Sequence, residues 1–243
     1  MELDKIYCCD ALEGLRSLED CSVDLIITSP PYNKAGLVGK KKRRSYDIWE
    51  KNIDYSSDVD NMPEYVYEQW QINILDECAR VLKDDGSMFY NHKVRVHRNN
   101  IIHPIQLIAL SDFRCRQIIT WDRGGSPNLD NCRYIPTTEL VFWLNKNEHN
   151  PRFKNTARLS EVWRIAPQKN TKHPAPFPVE IPDNIIPFVA QGEAITVLDP
   201  FIGSGTTAVS AIKNGCHYIG FDVSPDYVAM AEARIIECCN AHS

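Results

Sequence analysis

The sequence lacks the patterns that would place it in several common classes of protein. No apolar run approaches the roughly 18 residues that a transmembrane helix needs, and residues 1–5 have neither the basic flank nor the apolar core of a signal peptide. The nine cysteines include no C-x-x-C pair, so no zinc site is indicated. We therefore expect a cytoplasmic protein without a metal, whose cysteines are reduced thiols, several of them in the core.

Two further absences narrow the range of functions. No G-x-x-x-x-G-K-[ST] segment occurs, which argues against a nucleoside triphosphatase. Neither H-x-E nor C-x-x-C, the two patterns that a zinc deaminase needs, occurs in the sequence. The net charge of −5 argues against a protein that coats nucleic acid over its whole surface, although a local basic face remains compatible with it.

The pattern that is present alternates strands with helices over 243 residues. Strands are predicted at 3–9, 23–27, 86–90, 114–121, 138–144, 195–198 and 218–221. Helices are predicted at 11–18, 64–83, around 101–110, at 179–190 with an interruption at Pro187, and at 206–213 and 226–238. This alternation predicts one α/β domain, with a mostly parallel sheet and helices on both faces.

The first chemical motif is the turn Ser29-Pro30-Pro31-Tyr32, which ends the apolar strand at 23–27. Neither proline has an N–H, and Pro31 drives Pro30 towards an extended conformation. The turn thus presents a hydroxyl, a carbonyl and an aromatic ring at the carboxyl end of a strand, where open α/β sheets bind ligands. By itself, a Pro-Pro turn that merely ends a strand explains the segment equally well.

A basic run, Lys40 to Arg44, follows this turn within the long irregular segment 34–62. Its residues are Lys40, Lys41, Lys42, Arg43 and Arg44. Such runs are often solvated surface. Here Tyr46 and Trp49 follow, and cations for phosphates with aromatic rings for stacking favour a nucleic-acid loop.

The second motif runs from Asp199 to Thr207 and contains Gly203 and Gly205. It reads as strand, turn and helix, whose glycines let the backbone approach a ligand closely. Asp222 ends the next strand, where a carboxylate can accept hydrogen bonds from ribose hydroxyls. The pair predicts a cofactor that contains a nucleoside.

Together the two motifs resemble those of the β group of S-adenosylmethionine-dependent DNA amino-methyltransferases. Ser29-Pro30-Pro31-Tyr32 matches the [D/S/N]-P-P-[Y/F/W] catalytic motif of that family, and Asp199-Pro200-Phe201-x-Gly203-x-Gly205 matches its cofactor motif. The catalytic motif precedes the cofactor motif in the sequence. This is the order of the β group, which is a circular permutation of the order in the other groups. The resemblance implies a Rossmann-like methyltransferase fold with a mostly parallel seven-stranded sheet, in which 1–144 is the catalytic half, 145–172 a small target-recognition insertion and 173–243 the cofactor half.

The resemblance also implies roles for individual residues. Ser29 and the Pro30 carbonyl would accept hydrogen bonds from the target amino group, while Tyr32 would stack on a flipped base. For Asp10, capping of the following helix is an equal alternative to a cofactor contact, and Phe201 and Phe221 could instead be core residues. The implied cofactor contacts are Asp10, Ala11, Lys172, His173, Pro174, Ala175, Asp199, Pro200, Phe201, Gly203, Ser204, Gly205, Thr206, Phe221, Asp222 and Val223.

The base and the substrate are less constrained. Methylation at carbon 5 of cytosine needs a cysteine nucleophile, usually in a Pro-Cys pair, and none occurs. Within the family a first-position Ser favours cytosine N4, whereas Asn33 after the tyrosine is frequent in adenine N6 enzymes. A non-catalytic DNA-binding pseudoenzyme and an RNA or protein methyltransferase are the alternatives.

Recognition of duplex DNA is expected to be shared between residues 145–172 and 34–62, with 122–134 as a further candidate. The candidate contacts beyond the basic run are Arg123, Arg133, Arg152, Lys154 and Arg158, each more suited to phosphate than to a base edge. A homodimer and a cognate restriction endonuclease are possible partners.

Overall fold

The computed structural model describes residues 1–33, 62–97, 99–125, 132–167 and 178–242. The strands of these residues are β1 (Lys5–Cys8), β2 (Val23–Thr28), β3 (Leu82–His92), β4 (Arg95–His97), β5 (Asn100–Ile102), β6 (Arg114–Asp122), β7 (Thr138–Asn145), β8 (Val162–Arg164), β9 (Thr196–Asp199) and β10 (His217–Asp222). The helices are α1 (Ala11–Arg16), α2 (Glu64–Val81), α3 (Ile105–Ile108), α4 (Glu180–Asp183), α5 (Ile186–Ala190), α6 (Thr206–Lys213) and α7 (Pro225–His242).

An eight-stranded sheet forms the centre of the molecule, in the order β1-β10-β9-β2-β3-β7-β6-β8. Its pairs are parallel except for those that β7 makes with β3 and β6. This confirms the predicted fold class. The sheet has one strand more than expected. The additional strand is β8, which lies within residues 145–172 and pairs with β6 as the outermost strand of the sheet.

Side chains that alternate along the strands build a core on each face of the sheet. Ile26 of β2 packs with residues of α1, α2 and α3, whereas Leu25 and Ile27 pack with residues of α4 to α7. Period-two alternation of a strand between two helical layers is the reason that β2 is apolar throughout its centre.

Two predicted helices differ from the structure. The helix expected around 101–110 is reduced to α3, because residues 100–102 pair with β4 as strand β5 and Pro104 caps the short helix that follows. The segment 179–190 forms two helices that meet at Asn184 and Ile185. Pro187 lies in the first turn of α5, where its missing N–H costs no intrahelical bond, rather than at the interruption.

The strands of the two halves of the chain interleave. β9 and β10, from residues 173–243, lie between β1 and β2, which come from residues 1–144. One edge of the sheet is formed by strand ends. It contains the carboxyl ends of β2, β3, β6, β9 and β10 and the amino end of the antiparallel strand β7. This edge, which we call the functional edge, is where both sequence motifs lie.

Two further predictions concern the core and the membrane. Cys78, Cys216 and Cys238 are buried, as expected for core cysteines. Within the described ranges, no helix combines the length and the apolar character that a membrane crossing needs.

Candidate active site

The Ser29-Pro30-Pro31-Tyr32 turn begins directly after β2 and folds back on itself. The Ser29 Oγ and Tyr32 Oη atoms lie 2.8 Å apart, and Tyr32 Oη donates to Glu139 Oε2 at 3.1 Å. Tyr32 is buried, and burial raises the pKa of its hydroxyl well above the ordinary value, with the Glu139 charge as the second cause. The Tyr32 hydroxyl therefore keeps its proton at neutral pH.

Asn91 and Arg123 complete the polar cluster around this turn. Asn91 Nδ2 lies within hydrogen-bond distance of Ser29 Oγ (3.2 Å), Tyr32 Oη (3.0 Å) and Glu139 Oε2 (3.3 Å). Arg123 Nη1 lies 3.1 Å from Glu139 Oε1. The cluster thus joins the ends of β2, β3 and β6 to the start of β7.

Backbone contacts hold the turn in place. Tyr67 Oη is 2.8 Å from the Pro31 carbonyl oxygen, whereas the Pro30 carbonyl has no hydrogen-bond partner among the described residues. Asn33 has a left-handed φ of 52° and is fully buried. Its amide bonds the Met62 backbone at 2.9 Å in both directions, so Asn33 anchors the chain rather than facing Ser29.

The second motif is organised by Asp199, whose carboxyl group is inaccessible to solvent. Asp199 Oδ1 accepts from Thr28 Oγ1 at 2.8 Å and Oδ2 accepts from Thr207 Oγ1 at 2.6 Å. Burial raises the pKa of Asp199 to about 6, although these hydroxyls and the Phe201 N–H oppose the shift. Because Thr28 precedes Ser29, this carboxylate links the two motifs directly.

Asp222 and Asp10 lie at the ends of the neighbouring strands. Asp222 accepts from Gly203 N (3.1 Å) and Ser224 N (2.9 Å), and burial raises the pKa of its carboxyl group. Each Asp222 oxygen retains a second lone pair, which fits a ligand with two adjacent hydroxyl groups. Asp10 caps α1 through Leu12 N at 2.8 Å, so the capping alternative is confirmed, and a cofactor contact from Asp10 stays a prediction.

Several predicted cofactor residues contact helices α1 and α7 instead. Phe221 is fully buried, with its ring against Gly14 where a Cβ atom would lie 2.7 Å away, so its side chain belongs to the core. The Ser204 and Thr206 hydroxyls accept from Arg234 of α7 at 2.8 and 3.3 Å, which turns them away from a ligand. Gly205 has a φ of 80°, and a Cβ there would lie 2.9 Å from Ala231 of α7.

The other predicted cofactor residues fall into two groups. Ala11 and Pro200 are buried, Phe201 is half-buried against Trp70, and Val223 is exposed. Lys172, His173, Pro174 and Ala175 lie outside the described residues.

The predicted DNA contacts separate by position. Arg123 lies at the functional edge, and the exposed Arg133 lies in the segment that leads into β7. Arg152 is at the opposite edge, where its guanidinium bonds the Val189 and Ala190 carbonyls at 3.1 Å, which argues against its predicted DNA contact. Lys154 and Arg158 are exposed but precede β8, on the side where that strand begins. The run Lys40–Arg44 lies outside the described residues.

Three residues of this site were not predicted from the sequence: Thr28, Asn91 and Glu139. Thr28 and Asn91 lie at the ends of strands, and a polar residue there is a signal that could have drawn attention. Glu139 is second in an apolar strand, and only the antiparallel direction of β7 brings it to the functional edge.

A family model described as DNA methylase, of the N6/N4 type, matches residues 23–233. The type II methyltransferase M.HpaI of Haemophilus parainfluenzae is 29% identical over 254 residues, covering 95% of this chain and 74% of the relative. The DNA adenine methyltransferase YhdJ of Escherichia coli is 25% identical over 265 residues, covering 93% and 80%.

Solved structures share the fold. The cytosine-N4-specific PvuII DNA methyltransferase superposes with a TM-score of 0.74 at 22% identity, covering 99% of this chain and 92% of that one. A crystal structure of the M1.HpyAVI–SAM complex gives a TM-score of 0.64 at 22% identity, covering 95% and 98%. At this identity the likeness concerns the fold.

Proposed function

The chain belongs to the DNA methylase family of the N6/N4 type, and we propose that within this family it methylates the N4 amino group of cytosine in duplex DNA. The methyl donor of the family is S-adenosylmethionine. When bound, this cofactor supplies a methyl group on a positively charged sulfur, ready for attack by a nitrogen. The observation that carries the cytosine proposal is the residue at the first motif position, Ser29, with its hydroxyl in the Tyr32–Asn91–Glu139 cluster.

Residues of the functional edge would hold the cofactor. Asp222 would accept from the ribose hydroxyls through the lone pairs that Gly203 and Ser224 leave available. The exposed Val223 side chain would cover part of the adenine ring. Phe201, half-buried beside Trp70, would border the same pocket.

The reaction needs a better nucleophile than an aromatic amino group, whose lone pair is delocalised into the ring. Ser29 Oγ and the Pro30 carbonyl oxygen would accept the two N–H bonds of that group and favour a tetrahedral nitrogen. Holding this nitrogen in line with the methyl group supplies most of the rate. The base must leave the duplex to reach the turn, and Tyr32 would contact it there.

Asn33 does not weigh against cytosine, although the Pro-Pro-Tyr-Asn sequence is frequent in adenine enzymes. The Asn33 side chain bonds the Met62 backbone and the Glu64 carboxylate, so its amide is already hydrogen-bonded within the protein. The contrary observation is the relative YhdJ, whose name states adenine as its base. Adenine N6 is therefore the alternative outcome of the test.

The DNA surface proposed here combines Arg123 and Arg133 with the basic run Lys40–Arg44. Its charges would neutralise phosphates and position the duplex over the functional edge. A homodimer would enlarge this surface, and the type II relatives suggest a restriction endonuclease as a cognate partner. We place the reaction in the cytoplasm.

Methylation-sensitive sequencing of duplex DNA after incubation with the protein and S-adenosylmethionine tests the proposal. We expect N4-methylcytosine at one position of a short recognition sequence. N6-methyladenine would refute the choice of base but keep the reaction class. Absence of label on every duplex, in an assay with labelled cofactor, would favour the pseudoenzyme, and label on RNA or protein alone would move the substrate.

A further inference from the structure

The polar cluster around Ser29 contains a directed chain of hydrogen bonds. Glu139 Oε2 lies 3.1 Å from Tyr32 Oη, which in turn lies 2.8 Å from Ser29 Oγ. Glu139 and Tyr32 are both buried, and the guanidinium of Arg123 stands 3.1 Å from the other carboxylate oxygen. Two consecutive hydrogen bonds through Tyr32 therefore connect a buried charge to the hydroxyl of the catalytic motif.

Counting hydrogens fixes the direction of this chain. A carboxylate only accepts, so Tyr32 must give its single hydroxyl hydrogen to Glu139. The contact between Ser29 and Tyr32 then requires Ser29 to be the donor. Asn91 Nδ2 has two hydrogens and lies near three acceptors, Tyr32 Oη at 3.0 Å, Ser29 Oγ at 3.2 Å and Glu139 Oε2 at 3.3 Å. A hydrogen that it gives to Ser29 Oγ occupies one of the two lone pairs of that hydroxyl oxygen. The second lone pair is the one available to a substrate.

We propose that Glu139 is a positioning residue that, through the Tyr32 hydroxyl, orients Ser29 so that it can only accept a hydrogen bond from the target amino group. This inference rests on the proposed function, because it assigns the amino group to that second lone pair. The amino group carries two hydrogens, and a serine whose own hydrogen pointed at it would oppose it. The chain removes that unproductive orientation before the base arrives.

A second observation indicates that the cluster awaits a donor. Asn91 is 4% exposed, and its Oδ1 atom is buried without a hydrogen-bond partner among the described residues. A buried acceptor without a donor is unfavourable, so such atoms are rare in folded proteins. The two hydrogens of the amino group are assigned to Ser29 Oγ and the Pro30 carbonyl, so Asn91 Oδ1 is a further acceptor beside them.

The substitution E139Q tests the direction of the chain with almost no change in volume. Arg123 has only donors, so it will hold the oxygen of the new amide, and the amide nitrogen will face Tyr32. The Tyr32 hydrogen must then turn to Ser29. We expect the single-turnover methylation rate to fall by about 10-fold to 100-fold, the range for a charge-assisted hydrogen bond, with dissociation constants for cofactor and DNA unchanged.

A matched control and a double variant separate orientation from packing. E77Q makes the same change in a Glu–Arg pair at the opposite edge, where Arg80 Nη2 lies 2.8 Å from Glu77, and it should keep the wild-type rate. Y32F should lose as much rate as E139Q, and the double variant should lose no more, because both act through one hydroxyl. Adding R123M to E139Q lets the amide oxygen turn to Tyr32 and should restore part of the rate, measured at saturating DNA.

A measurement without turnover keeps this inference distinct from the proposed function. In the cofactor-bound protein, the Tyr32 hydroxyl proton should give a slowly exchanging downfield NMR signal that Y32F lacks and E139Q shifts upfield. If wild type methylates no duplex, the proposed function fails, but this NMR signal still tests the hydrogen bond between Tyr32 and Glu139. Wild-type rates in E139Q, or a signal that E139Q leaves in place, would overturn the role of Glu139.

Discussion

Two buried carboxylates, Asp199 and Glu139, lie at the functional edge in different surroundings. Asp199 receives hydrogen bonds from two hydroxyls and one backbone N–H and makes no ion pair within the described part of the chain. Glu139 is paired with Arg123 and reaches Ser29 through Tyr32. The first links β2 to β9 and α6, whereas the second is connected to the Ser29 hydroxyl. Changes around Asp199 should therefore appear in stability, and changes around Glu139 in rate.

The largest effect on the methylation rate is expected for the substitution S29A. Loss of the acceptor hydroxyl should lower the single-turnover rate by about 100-fold, as for removal of one preorganised polar group. The cofactor dissociation constant should stay the same, whereas the free energy of unfolding should fall by about 1 kcal/mol, because Ser29 is hydrogen-bonded to Tyr32 and Asn91. Isothermal titration and urea unfolding check these two quantities, and a wild-type rate would reject the role of Ser29.

The counterpart on the Asp199 side is T28V, which keeps the shape of the side chain but deletes one donor to Asp199. We expect the free energy of unfolding to fall by about 1–3 kcal/mol, the cost of an unpaired buried acceptor. T156V, on an exposed threonine, is the control. A T28V protein as stable as the control in urea unfolding would show that the link between the motifs contributes nothing.

The raised pKa of Asp199, about 6, makes a prediction about pH. Since the folded pKa lies above the ordinary value of 3.8, the carboxyl group adds stability at low pH that is lost as the pH rises through about 6. Between pH 5 and pH 7.5, wild type should lose about 1 kcal/mol relative to D199N, which has no charge to bury. Urea unfolding at both pH values gives this difference, and parallel pH profiles would contradict it.

The smallest expected effect compares two arginines. R123M should reduce the slope of log K against log salt for DNA binding by about 1, as for one lost phosphate contact. It should also lower stability, because the buried Glu139 carboxylate loses its cation. R152M should leave the slope unchanged but lower stability, because Arg152 bonds the end of α5. Gel-shift titrations at several salt concentrations measure the slope. Equal slopes in R123M and wild type would remove Arg123 from the DNA surface.

The fold was predictable where apolar runs are long. β2 and β7 are such runs, and both were expected. β8 was not, since Val162–Arg164 holds only three residues and its pairing with β6 is a tertiary event. The helix around 101–110 was overestimated because the apolar pair Ile101-Ile102 suits a strand as well as a helix.

The site was predictable where its residues are contiguous. Ser29 and Asp199 belong to recognisable motifs, but Glu139 and Asn91 join them only through the order and direction of strands. Phe221 illustrates the converse, because a strand-end position does not reveal which face a side chain takes, and this one faces α1. Adjacency in the sheet, rather than spacing in the chain, decides both cases.

The bond between Thr28 and Asp199 spans 171 positions of the sequence. Strands β9 and β10 must insert between β1 and β2, so loop closure over most of the chain precedes formation of the site. During synthesis, the Ser29 turn leaves the ribosome long before Asp199 and Asp222, so the site is incomplete until those residues have been made. A nascent chain that ends before β10 therefore lacks the sheet on which the cofactor turn rests, and methyl transfer begins only after that strand has been made.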